Sequence, residues 1–190
     1  MPFTSLATAT SEDWHRIIAQ EGAMPYGGRA SELLMLMLRQ QENDDSFGMP
    51  INTYRHCLQT ATRVLNAGES DELIVCSLFH DVPEKMAAFA HGSAIADILN
   101  PFVSERNEWM LRHHPVFQQH HFARHPTIDR QAREAFRSSP HFAYTANFCA
   151  TYDENSFDPD SPTLALVRFE PIVERFFARL NSLESLRLPR

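Results

Sequence analysis

His80 and Asp81 stand side by side at the end of an apolar run, Leu73 to Asp81, which reads LIVCSLFHD. An imidazole nitrogen and a carboxylate oxygen both suit zinc, iron or manganese. Further residues of the same kind flank the pair. His56 lies upstream in YRHCLQTATRVL, and His91 follows in FAHGSAIADIL. His113 and His114 come next in WMLRHHP, and Asp153 comes late in CATYDENSFDP. Of the two adjacent histidines, His114 is the expected ligand because it stands just before the turn residue Pro115, and His113 is expected to support it or face outward. Asp153 follows the apolar run NFCATY, whereas Asp158 and Asp160 sit among turn residues where aspartate commonly makes Asx-turns. The order His, His-Asp, His, His, Asp therefore supplies six ligands, His56, His80, Asp81, His91, His114 and Asp153, enough for two metal ions. A buried aspartate at a helix C-terminus also sits badly with the helix dipole unless a cation compensates it.

Helices must position these residues. Thr10, Ser11 and Asp13 can cap a first helix, DWHRIIAQEG. Pro25, Gly27 and Gly28 predict a turn, and SELLMLMLRQQ a second helix, apolar on several sides and suited to the core or to a subunit contact. His56 falls on an amphipathic helix that ends near Asn66-Ala67-Gly68, a glycine C-cap. Ser70 caps the next helix, with Asp71 and Glu72 in its first turn, the His-Asp pair at its end and Pro83 as its limit. His91 opens a short helix to Asn100; Ser104 caps SERNEWMLRHH, which Pro115 is expected to end. Asp129 to Phe136 and Phe142 to Ala150 read as two more helices, and LALVRFEPIVERFFARL as a last one bent by Pro171. No repeat and no strand alternation is evident, so the expectation is an all-α single domain.

Composition narrows the class. The chain has 190 residues, 43% of them hydrophobic, enough for one domain with a sizeable core. No apolar run approaches the roughly 20 residues of a membrane helix, and the start lacks the features of a signal peptide, so a cytoplasmic location is expected. The net charge of -7 argues against a nucleic-acid partner. It leaves room for a small anionic substrate, because a metal pair creates a local positive field. Cys57, Cys76 and Cys149 are scattered and read as buried free thiols.

From about Gly48 to about Phe177, the ordered ligand set resembles the HD-domain superfamily. The runs LRHHPVFQQHHF and YDENSFDPDSPT are similar to a group of small HD proteins resembling the mixed-valent diiron oxygenases, which include phosphonate-cleaving HD oxygenases and myo-inositol oxygenase. The resemblance implies one HD-domain helical bundle over residues 1–190, with its core over about 48–177, the N-terminal helices 11–41 packed on it and a dinuclear site inside. It implies that His56, His80, Asp81 and Asp153 bind one metal and that Asp81, His91 and His114 bind the other. The expected cofactor is a pair of mixed-valent irons, and the expected reaction is O2-dependent cleavage of a C–C or C–P bond in a small hydroxylated substrate. The larger branch of the superfamily implies the alternative, a phosphohydrolase using manganese, cobalt or another divalent metal on a nucleotide or other phosphate ester. A non-catalytic domain that binds a metal, ligand or partner is the third reading. A homo-oligomer is compatible with each.

Two places depart from the oxygenase pattern. Its loop before the first histidine carries a Tyr and a Glu, where this chain has Ser46 and Met49 in DSFGMP. After the His-Asp pair it tends to carry a Lys or His for the substrate anion; here Glu84 stands there, followed by Lys85. Glu84 and Lys85 are thus the expected groups acting on substrate, Glu84 on a cationic group or hydroxyl and Lys85 on an anion. Gln59, Gln118 and His121 are the further expected substrate contacts. The dense patch of His120, His121 and His125 reads either as a solvated or packed segment or as support for the site.

Overall fold

The computed structural model describes residues 3–180. Among these the chain is all-helical, without a strand: α1 (Ser11–Gly22), α2 (Tyr26–Gln40), α3 (Thr53–Asn66), α4 (Asp71–Phe79), α5 (His91–Leu99), α6 (Glu105–Gln118), α7 (Phe142–Phe148) and α8 (Glu170–Ala178). No helix among them is long and apolar enough to cross a membrane. The centre is α4. Its residues Leu73 to Phe79 are all buried, so it is apolar all round and is wrapped by α3, α6 and α8.

Local chemistry sets the ends of the two helices that matter most for the histidines. Asn52 caps α3 by accepting the Arg55 N–H at 2.9 Å, while its amide donates to the carbonyls of Glu42 and Asp44 at 3.0 and 3.2 Å. One side chain therefore starts the helix and ties down the loop before it. The other end closes in a Schellman motif: Glu69 N–H reaches Val64 O at 3.3 Å and Gly68 N–H reaches Leu65 O at 3.0 Å, with Gly68 at φ +74°. Ser70 then accepts the Leu73 N–H and starts α4 two residues later.

Several expected boundaries move. Tyr26, Gly27 and Gly28 form the first turn of α2 instead of a separate turn, because Pro25 sits just outside the helix, where its missing N–H is harmless. Helix α2 packs on α8, whereas Leu33 and Leu36 stay exposed, as do Trp14 and Ile18 of α1. Residues 129–136 give only a short 3-10 stretch, Ala132–Phe136. Pro171 lies in the first turn of α8 and starts it without bending it. Helix α6 runs through Pro115 to Gln118.

Helix α5 packs along α6. A Cβ at Gly92 would lie 2.8 Å from Pro115 Cγ and 2.9 Å from the Leu111 carbonyl oxygen. A ring and a backbone carbonyl cannot swing aside. Gly92→Ala is therefore expected to destabilise the fold by about 1–3 kcal/mol, although alanine in a helix normally gains up to about 1 kcal/mol over glycine. Thermal unfolding checks this; a variant melting at or above the wild-type temperature would show that α5 can back away freely.

Candidate metal centre

Four imidazoles and two carboxylates meet where α3, α4, α5, α6 and the segment after α7 converge. His56 comes from the first turn of α3, and His80 is the C-cap of α4, with Asp81 following. His91 is the first residue of α5, and His114 lies near the end of α6. Asp153 closes a π-helical turn, Cys149–Asp153, in which Glu154 N–H bonds Cys149 O at 3.0 Å. Such turns recur at functional sites because they re-aim one side chain.

Each ring is aimed by its Nδ1. His56 bonds Ser156 O at 2.8 Å, His80 bonds Ser77 O at 2.8 Å, His91 bonds Ala88 O at 2.8 Å and His114 bonds Leu111 O at 2.7 Å. A carbonyl only accepts, so each Nδ1 carries a proton, and Nε2 is the nitrogen left to meet a metal ion or a second proton. The His114 bond explains why α6 tolerates Pro115. Leu111 O is the carbonyl that a residue-115 N–H would ordinarily occupy; proline has none, and the ring of His114 takes it instead.

The four Nε2 atoms point inward onto Asp81. Asp81 Oδ2 lies 3.4 Å from His56 Nε2 and 3.3 Å from His80 Nε2. Its other oxygen, Oδ1, lies 2.9 Å from His114 Nε2 and 3.3 Å from His91 Nε2. Asp153 Oδ1 joins the first set, 3.2 Å from His56 Nε2 and 3.8 Å from His80 Nε2. Ligands about 2.0–2.2 Å from one ion lie no more than about 4.4 Å from one another, and these separations fall within that limit. The donors also group as His80, His114 and Asp153, so the two sets touch.

Three observations fit a cation. His56 Nε2 and His80 Nε2 are 3.1 Å apart, close enough for one cation, a proton or a metal ion, to lie between them. Asp153 Oδ2 is buried with no hydrogen-bond partner among the protein groups. Third, the two carboxylates are held as anions. Burial alone would raise the Asp81 carboxyl, yet His80, His114 and His56 hold it well below the usual range. Asp153 is likewise lowered against its burial, by His56 and His80. His80 is raised well above an ordinary histidine, although burial opposes its charge, because Asp81 and Asp153 face it. The buried His/Asp groups can thus hold a metal ion in place of shared protons.

The site is closed on one side and open on the other. The side chains of His56, His80 and Asp153 are 4%, 0% and 2% exposed, and Phe157 stacks on His56 with ring centroids 4.3 Å apart. Asp81 and His91 are 15% and 14% exposed, so approach is from their side.

The neighbouring residues divide. His113 stacks on Trp109 and bonds its carbonyl, apart from the cluster. Asp158 accepts the Asp160 N–H at 2.9 Å in an Asx-turn, and its carbonyl accepts from Gln59 at 2.5 Å. Gln118 donates to Asp153 Oδ1 at 3.0 Å. His120 is tied to Arg130 through two bonds, His125 accepts from Thr127 N–H, and His121 faces Glu154 at 3.3 Å. Glu84 is not among the clustered donors; its carboxylate accepts from Thr53 Oγ1 at 2.8 Å. Lys85 turns to the loop before α3, pairing with Asp44 at 2.7 Å and lying over the Phe47 ring. Met49 is about half exposed. The three cysteines are buried and free. Ser156 and Phe157, which aim and cover His56, escaped the sequence reading because neither a backbone carbonyl nor a stacking ring carries a ligand-type signature.

No protein-family model matches the chain, and no curated protein matches it in sequence.

Proposed function

We propose that this chain is an HD-type dinuclear metalloenzyme, a non-haem diiron oxygenase that cleaves a C–C or C–P bond in a small hydroxylated substrate. The observation that carries the reading is the position of Asp81, with one carboxylate oxygen toward His56 and His80 and the other toward His91 and His114. A carboxylate so placed can bridge two ions. Four imidazoles with two carboxylates form a donor set of intermediate softness, which suits iron. Bound there, two irons of mixed valence would supply dioxygen activation and the oxidation of the substrate carbon.

The chain's own groups supply the rest. The four Nδ1–H bonds hold every ring in one tautomer, so the donors need no rearrangement on binding. Phe157 and Phe148 flank His56 and His80 and keep water from that side. The exposed edge of Asp81 and His91 receives the substrate. Metal analysis with electron paramagnetic resonance on freshly purified protein tests the reading, followed by a screen for substrate-induced changes in that signal. Two irons per chain with a mixed-valent signal are expected. Manganese or cobalt together with phosphate-ester hydrolysis would replace the oxygenase with an HD phosphohydrolase. Protein from iron-supplemented cells that holds no metal would reduce it to a binding domain.

A further inference from the structure

Helix α1 is well made locally yet adds nothing to the hydrophobic core. Thr10 and Asp13 cap its start reciprocally: Asp13 N–H donates to Thr10 Oγ1 at 3.2 Å, and Thr10 N–H donates to Asp13 Oδ2 at 3.0 Å. Arg16 closes on Asp13 at 2.6 Å. The apolar residues Trp14, Ile17 and Ile18 stand at i, i+3 and i+4 and so share one face. Phe3, from the same N-terminal segment, stacks on Trp14 with ring centroids 6.4 Å apart. The face is otherwise open: Trp14 is 41% and Ile18 61% exposed, and Ile17 is half-buried. Among the described residues the core begins only at Ala30, on α2. A helix of 12 residues is marginal in water unless such a face is packed. Helix α1 is therefore built for a contact that its own core does not provide.

Helix α2 offers the matching surface. Leu33, Leu36 and Met37 repeat the same i, i+3, i+4 spacing, with Leu33 and Leu36 45% and 50% exposed and Met37 half-buried. Leu34, Met35 and Leu38 take the opposite face, in the core. The charges of the two helices are also opposite. With histidine neutral, residues 11–22 carry Glu12, Asp13 and Glu21 against Arg16, a net -2; residues 26–40 carry Arg29 and Arg39 against Glu32, a net +1. Lay the helices antiparallel with Ile18 on Leu33. Glu21 then lies about 4.5 Å beyond Ile18 and Arg29 about 6 Å beyond Leu33 on the same side, so the two charges meet. Glu21 is exposed, and Arg29 holds only a solvent-exposed contact with Glu32 at 3.4 Å, which is easily exchanged. Only Ala23, Met24 and Pro25 separate the two helices, yet both stripes stay exposed within one chain. A second copy carries both faces, and two-fold symmetry uses each of them twice.

We propose that the chain forms a symmetric homodimer in which α1 of each copy lies antiparallel on the outer face of α2 of the other. Trp14 and Ile18 then cover Leu33 and Leu36, and Glu21 lies beside Arg29. The metal-centre reading plays no part in this assignment.

Size exclusion with light scattering tests it on the full chain over a concentration series. Wild type should be a dimer that dissociates on dilution. Ile18→Asp and Leu36→Asp should each be monomers at concentrations where wild type is dimeric, while still melting cooperatively and keeping their metal content, because both side chains already face solvent in the monomer. Glu21→Lys and Arg29→Glu should each weaken the dimer, and the two together should restore it. Ile18→Cys combined with Leu33→Cys should form a disulfide between chains, the three native cysteines being buried. A wild type that stays monomeric at every concentration overturns the assignment, as does a dimer that either Asp variant leaves intact. A disulfide formed within one chain overturns it too, by showing α1 folded back on its own α2. A paired charge swap that fails to restore the dimer overturns the antiparallel placement.

Discussion

Asp81→Ala is expected to be purified with neither metal ion. Its two oxygens face different pairs of imidazoles, Oδ2 toward His56 and His80 and Oδ1 toward His91 and His114. Removing the carboxylate therefore takes one donor from each set at once. It also removes a negative charge; Asp81 and Asp153 are the two carboxylates of the clustered donors among the described residues, and both would offset bound cations. Loss of groups that merely orient a ligand lowers metal affinity about 10–100-fold, and loss of a shared ligand should exceed that for both ions. Elemental analysis gives the stoichiometry directly. His113→Ala is the matched control, because His113 is next to His114 in sequence but spends its ring on Trp109; it should keep full metal. Two ions per chain in Asp81→Ala would show that Asp81 bridges nothing. Loss of one ion alone would make it a ligand of one set.

The difference between His113 and His114 also shows how far sequence could go. The choice of His114 followed from its place before Pro115, and the structure brings that ring, not its neighbour, to Asp81. The reason is subtler than a helix stop. A proline there predicts a helix end, yet α6 continues for three residues because the carbonyl it orphans is the one His114 uses. Pattern reading prices the missing N–H but cannot see a side chain standing in for it. The same limit applies at the π-helical turn before Asp153, where residue types are ordinary and only the tertiary placement beside Gln118 and His56 shows the extra residue. Capping, by contrast, was legible. Thr10, Asn52, Ser70 and Ser104 all accept from the backbone N–H three residues on, and of these the sequence alone marks Thr10, Ser70 and Ser104. These signals are local, so no fold is needed to read them. The partners of Glu84 and Lys85 were not legible, because Thr53 and Asp44 reach them from 31 and 41 residues away in sequence.

Asp153→Asn should lose at least one ion, while Asp158→Asn should keep both. The two aspartates are five residues apart, but their surroundings differ in kind. Asp153 Oδ1 accepts from Gln118 Nε2 at 3.0 Å and lies 3.2 Å from His56 Nε2, and Oδ2 is buried without a partner. Asparagine must place its amide nitrogen on one of those two positions. On the first it turns N–H groups toward His56 Nε2 and makes the Gln118 amide flip to accept from it; on the second it offers N–H groups where a cation needs a lone pair. Asp158 asks for less. Its Oδ1 accepts one backbone N–H, which an asparagine oxygen does equally well, and its bond to Gln59 uses the main-chain carbonyl. A chelator separates metal loss from simple disruption of the fold. Bound metal stabilises only the state that holds it, so wild type should melt well above Asp153→Asn as purified, and the gap should shrink once both are stripped. A gap that persists unchanged in chelator would make Asp153 a structural carboxylate. Metal loss in Asp158→Asn alone would move the sixth ligand to that turn.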